Sequence, residues 1–176
     1  MSDTLITIIA IALAAVLMFV FPLMTMSDRT DDVAQLSVES ATTDFVDEVA
    51  TSGKITLANL NELEQTVTST GNTYDVDMVL EVKDANLGKK ASQAQKDKIG
   101  ENASYSVHTT QIMDVLEDKN GNGVYYCNEG DRFTATVKNT SQTLSQQLKN
   151  FFYTVTGNDA YTIAAEHTAL VKTNGK

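Results

Sequence analysis

One cysteine, one proline, two histidines and no tryptophan occur in 176 residues. The single thiol, Cys127, excludes an internal disulfide and any cysteine-rich zinc or iron–sulfur centre, and two histidines leave little for a histidine-based one. Cations are scarce as well, with 13 Lys and Arg against 23 Asp and Glu, a formal net charge of −10. Proteins that bind a nucleic-acid backbone concentrate positive charge to displace counterions, so nucleic acid is not an expected partner. The chain is well supplied with apolar residues, 42% against 20% charged. That balance belongs to one ordinary globular domain and excludes a disordered, collagenous or disulfide-rich chain.

The longest run without charge extends from Leu5 to Met26, LITIIAIALAAVLMFVFPLMTM. As a helix its 22 residues span about 33 Å at ~1.5 Å per residue, the thickness of the hydrocarbon core of a bilayer. Three readings compete: a retained membrane helix, a cleaved secretory signal and a buried core helix. A signal needs a basic first region, a shorter apolar run and small residues at its end. Here the run follows Met-Ser-Asp and closes on Leu23, Met24 and Met26, so a retained single-pass helix is the expectation. Arg29 is the sole cation near either end, which leaves orientation weakly set by the positive-inside rule. The reading adopted places residues 1–30 as the anchor and residues 31–176 as an extracytoplasmic domain. Pro22 is expected to kink the helix or to leave a carbonyl without its donor.

Beyond the run, Ala34, Val38, Ala41, Phe45 and Val49 recur at helical spacing, predicting that the helix continues to about Ser52 and stops at Gly53. Thr56 is the expected cap of a second helix carrying Leu57, Leu60, Leu63 and Val67, with Ile55 as a hydrophobic staple. From Tyr74 the period becomes two, and Tyr74, Val76, Met78, Leu80 and Val82 alternate with polar residues as in a half-buried antiparallel strand. Residues 84–102 carry Lys89, Lys90, Lys96 and Lys98 without apolar period. They read as a solvated loop, with contact to an anionic polymer or lipid headgroup as the functional alternative. Further strands are expected over Tyr105–Leu116, Val124–Tyr126, Arg132–Lys138 and Tyr161–Lys172. A third helix with Leu144, Leu148, Phe151, Phe152 and Val155 on one face, capped by Asn139 or Thr140, is expected from about Ser141 to Tyr153. The fold class is α+β: a long N-terminal transmembrane helix continuing as an amphipathic helix, packed on a small antiparallel sheet with two short helices.

Residues able to carry catalysis are few. His108 and His167 fall in alternating segments and outside any triad or elbow context, which makes them strand side chains at a sheet surface. Cys127 reads as a small, partly buried structural thiol in a hairpin. The pairs Asp75/Asp77 and Glu129/Asp131 have the spacing that puts two carboxylates on one face of a strand, which is also what a solvated face looks like. Phosphate-binding glycine motifs are missing. The chain is therefore not expected to be an enzyme.

One metal motif fits. Asp118-Lys119-Asn120-Gly121-Asn122-Gly123, with Glu129 at its twelfth position, matches the oxygen-ligand loop of calcium sites, D-x-[DN]-x-[DN]-G-x5-E. Asp118, Asn120, Asn122 and Glu129 would be the ligands. Asn120-Gly121 and Asn122-Gly123 are equally good hairpin-turn dipeptides that need no metal, and both readings stand. Calcium is the one cofactor for which residues are in place.

The apolar segment Leu5 to Pro22, its continuation through Val49 and the Thr70-Gly71-Asn72-Thr73-Tyr74-Asp75-Val76 entry to the sheet resemble the type IV pilin class of surface proteins. Within it the chain is most similar to pilin-like subunits of tight-adherence pili and of Gram-positive conjugation or secretion systems. The resemblance implies a structural role: a minor pilin-like or accessory subunit at the bacterial cell membrane, single-pass, able to enter a surface filament. Its partners would be the membrane and other pilin-like subunits, met through the N-terminal helix. The alternatives are a membrane-anchored surface module that binds a ligand or calcium at the Asp118 segment, and a chaperone-like or assembly-platform component.

Overall fold

The computed structural model describes residues 2–84, 104–118, 121–141, 147, 150 and 162–176. The predicted third helix with Leu144, Leu148, Phe151, Phe152 and Val155, the lysines of residues 84–102, Asn120 and Tyr161 lie outside the described residues. Helix α1 is unbroken from Ser2 to Ser52, 51 residues or about 77 Å at ~1.5 Å per residue. Its surroundings change along its length. Every position from Asp3 to Thr30 is exposed or half-exposed, and from Asp31 onward buried positions recur. The expected stripe of Ala34, Val38, Ala41, Phe45 and Val49 is buried, and Thr42, Val46 and Ala50 widen it. Gly53 ends the helix at φ +68, its N–H donating to the Val49 carbonyl at 2.8 Å. A left-handed residue there is what a C′ glycine supplies.

The next turn of chain holds an element that alternation did not reveal. Lys54–Thr56 is a strand, β1, pairing antiparallel with β4, Val124–Tyr126, through Ile55 opposite Tyr125. Three residues are too few for a period to show. Helix α2, Leu57–Thr68, starts as expected: the Asn59 N–H donates to Thr56 Oγ1 at 3.2 Å, and Leu60, Leu63 and Val67 are buried.

The main sheet has four antiparallel strands in the order β3-β2-β5-β6, formed by Ser104–His108, Tyr74–Lys83, Arg132–Asn139 and Ala164–Leu170. Met78, Leu80, Val82, Phe133, Ala135, Val137 and Ala165 point to the inner face, against α1 and α2. Phe45 of α1 meets Phe133 of β5 edge to face, ring centres 5.7 Å apart. Aromatic pairs in that geometry gain about 0.5–1.5 kcal/mol beyond area burial.

One predicted strand is corrected. Of Tyr105–Leu116, only the part to His108 is extended, and Thr109–Leu116 is a helix, α3. Ile112 and Leu116 lie four apart and are both buried, a helical pair that short alternation had masked. The switch is held by polar bonds. The His108 N–H donates to Gln111 Oε1 at 3.1 Å, and Thr109 Oγ1 accepts the Met78 N–H at 2.6 Å while donating to the Asp77 carboxylate. The Asp118 segment consequently joins a helix to a strand. It is not the turn of a β-hairpin, since the partner of β4 is β1.

Candidate functional site

The first candidate is the exposed half of α1. Among the described residues one helix is long and apolar enough to cross a membrane; an 18-residue window of it has a mean hydropathy of 2.8 and none of that window is buried. A core helix would be covered by its own chain, so that reading is overturned. The helix is compatible with a single-pass membrane anchor. Three of its threonines are satisfied locally: the hydroxyls of Thr7, Thr25 and Thr30 donate to the carbonyls of Asp3, Phe21 and Met26, four residues back. Such bonds suit a medium without water. Pro22 lies inside the helix and has no N–H, which leaves the Met18 carbonyl without its helical donor. Past the uncharged run, Val33 and Leu36 remain 68% and 67% exposed on the side facing away from the sheet.

The second candidate is the segment from Asp118 to Glu129. Helix α3 leads into it through Glu117, whose N–H bonds the Met113 carbonyl. The Gly121 N–H donates to the Asp118 carbonyl at 3.0 Å, and Gly123, the sixth position of the calcium pattern, has φ +63. Positions seven to nine are β4. Glu129 is exposed on a turn, its N–H donating to Asn174 Oδ1 at 2.7 Å. Among the described residues no group of three or more His, Cys, Asp or Glu side chains is arranged to hold a metal ion. A calcium loop of this composition draws half its side-chain ligands from asparagine and one from a backbone carbonyl, so it depends on the chain wrapping around the ion.

The other singled-out residues take structural places. Asp131 is buried, and its carboxylate accepts the N–H groups of Lys83 at 3.0 Å and Asn128 at 2.8 Å. Glu129 is exposed on a turn and Asp131 precedes β5, so the expected pairing on a strand face does not occur. Asp75 and Asp77 do share an exposed strand face. His108 closes β3 and starts α3, whereas His167 lies on β6 with Nε2 3.9 Å from Asp47 of α1. Cys127 is 1% exposed, more covered than its sequence context implied. Burial, then the neighbouring Asp131 charge, pushes its thiol up to about 12. Burial raises the Tyr125 phenol as well, with Cys127, Tyr105 and Asp131 adding to it.

Around Cys127 the last residues form a strap that sequence reasoning missed. The Cys127 N–H donates to the Gly53 carbonyl, the Gly175 N–H to the Cys127 carbonyl, and the Lys172 N–H to the Ala50 carbonyl. Val171 exchanges backbone bonds with Gly130 and Asp131. Glycine at both 53 and 175 was the available signal: a Cβ on Gly175 would lie 2.1 Å from the Gly53 oxygen. The strap ties the far end of α1 to the β1–β4 ribbon.

No protein-family model matches the chain, and no match was found among curated proteins or solved structures.

Proposed function

We propose that the chain is a membrane-anchored structural subunit, a minor pilin-like or accessory component of a bacterial surface pilus, secretion or conjugation apparatus, with residues 31–176 outside the cell membrane. The observation that carries this reading is the division of α1. One continuous helix is apolar and uncovered over its first half and packs into the core of an α+β domain over its second. In lipid the first half is satisfied alone; away from lipid it needs like helices around it, and packing between them rests on close van der Waals contact. The test is protease treatment of intact cells together with mass spectrometry of the mature chain. Cleavage of the domain from outside with Leu5 to Met26 retained is the expected result. A mature N-terminus beyond Met26 or a protected domain refutes it.

A second reading, a calcium-binding surface module, is favoured by one observation: a helix precedes Asp118, and the glycine at the sixth position of the pattern has positive φ, as the sharp turn of such loops requires. On this reading calcium raises the melting temperature of the detergent-solubilised chain. The stabilisation is about 2.7 kcal/mol at ~100 times the dissociation constant, and Glu129→Gln removes it. An unchanged melting temperature at millimolar calcium ends the module reading and leaves the structural one in place.

A further inference from the structure

Helix α1 carries a single cation, Arg29, in its 51 residues. That side chain closes one end of a groove of about 480 Å³ lined otherwise by Phe21, Pro22, Thr25 and Met26. Spacings of one, three, one and three put the five residues on one face of the helix. At ~100° per residue this face lies roughly half a turn around from Asp31, Ala34 and Val38, which are buried toward the domain. The groove therefore opens on the side of α1 that faces away from the sheet. Asp32 is exposed three residues beyond Arg29, and residues three apart are neighbours on a helix surface. Among the described residues the two charges are not ion-paired with each other. The other carboxylates nearby turn toward the domain instead, Asp28 half-buried and Asp31 buried.

From the uncharged run outward, this face reads apolar groove, cation, anion. With Met26 at the edge of the hydrocarbon, Arg29 lies about 4.5 Å and Asp32 about 9 Å further out at ~1.5 Å per residue. The headgroup layer is roughly 5–7 Å deep on each side of a bilayer, and helix side chains lean toward the N-terminus, here back toward the lipid. Both charges thus reach headgroup depth. A phospholipid with an ammonium headgroup presents complementary groups in the same order: acyl chain, phosphate, ammonium. We propose that this face binds one molecule of phosphatidylethanolamine, with an acyl chain in the Phe21–Pro22–Met26 groove, the phosphate on the Arg29 guanidinium and the ammonium on the Asp32 carboxylate. The arginine fork suits phosphate oxygens, and a primary ammonium brings three N–H donors to the carboxylate. Choline offers a cation without donors, and a glycerol headgroup offers no cation. A second copy of the chain fits less well, because a parallel helix in register would set Arg29 against Arg29 and Asp32 against Asp32, and like charges repel. The inference rests on the membrane-anchored reading proposed above.

The test is native mass spectrometry of the full chain in mild detergent, offered equal amounts of phosphatidylethanolamine, phosphatidylcholine and phosphatidylglycerol with the same acyl chains. The expected result is one retained phosphatidylethanolamine per chain, favoured about threefold over each of the others, which is what one exposed ion pair supplies. Arg29→Gln should remove that retention, and Arg29→Lys should keep most of it. Asp32→Asn should leave a lipid bound but abolish the preference over phosphatidylglycerol. Neither residue belongs to the core cluster, so the variants keep the domain intact. Equal retention of the three lipids, a preference for phosphatidylglycerol, or a pattern unchanged by Arg29→Gln overturns the proposal. Alkaline carbonate extraction of membranes separates the site from the anchor. A chain that stays in the pellet yet shows no lipid preference rejects this site alone, whereas a chain that is extracted and retains no lipid rejects the anchored reading with it.

Discussion

Burial of Cys127 beneath the strap, beside the Asp131 carboxylate, makes its thiolate the disfavoured form in the fold. A thiol raised from 9.0 to about 12 contributes stability that is whole below pH 9 and lost as the pH rises from there toward 12. The unfolded chain releases its proton first. Stability measured by urea unfolding should therefore fall above pH 9, at a limiting slope of about 1.4 kcal/mol per pH unit for one group. Cys127→Ala should flatten that limb. The raised Tyr125 phenol adds a loss of the same sign above its ordinary 10.0, which Tyr125→Phe should remove. Gly53 permits a second prediction at this scale. Its φ of +68 disfavours any side chain, and a Cβ there would lie 2.3 Å from the Thr173 oxygen. Gly53→Ala should cost about 1–2 kcal/mol for the left-handed backbone and ~1–3 more for the overlap. The released strap should also make Cys127 alkylate faster with iodoacetamide, and an unchanged rate would mean that the strap does not cover the thiol.

Elements were legible in the sequence in proportion to their length and to the simplicity of their surroundings. The second half of α1 has one buried face over five turns, so Ala34 through Val49 announced both the helix and its core side. Helix α2 carried its own cap, Thr56, and strand β2 a long alternation. Helix α3 was misread because eight residues hold two turns, and Ile112, Met113, Val115 and Leu116 fit a strand as well as a helix until Ile112 and Leu116 are seen to be buried together. The pairing of β1 with β4 and the strap are contacts between residues far apart in the chain, which no local period encodes. The same holds for the candidate sites. The long apolar helix was readable from composition alone, whereas the calcium pattern was legible as spacing but its helix-to-strand context was not. Packing of α1 on the sheet gives a prediction of its own. Phe133 is fully buried against Phe45, and Phe133→Ala should cost about 3–5 kcal/mol through lost transfer energy and the cavity left. A loss below 1 kcal/mol in chemical unfolding would show that α1 is not docked there.

Across the whole molecule, α1 is one continuous helix with an uncovered half and a covered half, and the boundary between them falls where burial begins, at Asp31. All the buried hydrophobic residues of the core cluster lie from Ala34 onward. Insertion and domain stability should therefore be separable. Ala14 sits in the middle of the uncharged run and touches nothing in the domain, so Ala14→Lys should weaken insertion by about 2.5–3.5 kcal/mol on translocon scales while leaving the core unchanged. Alkaline carbonate extraction of membranes measures the first effect, as a shift of the chain from pellet to supernatant. The unfolding midpoint of the solubilised chain measures the second. A soluble fraction that rises while the midpoint stays fixed is the expected pair of results. A chain that remains in the pellet would mean that residues 5–26 are not what holds it. A midpoint that falls would mean that this half of α1 packs on the domain after all, which its exposed side chains contradict. The two readouts are independent because nothing before Asp31 contributes to the core, so the uncovered half can be altered without the sheet registering it.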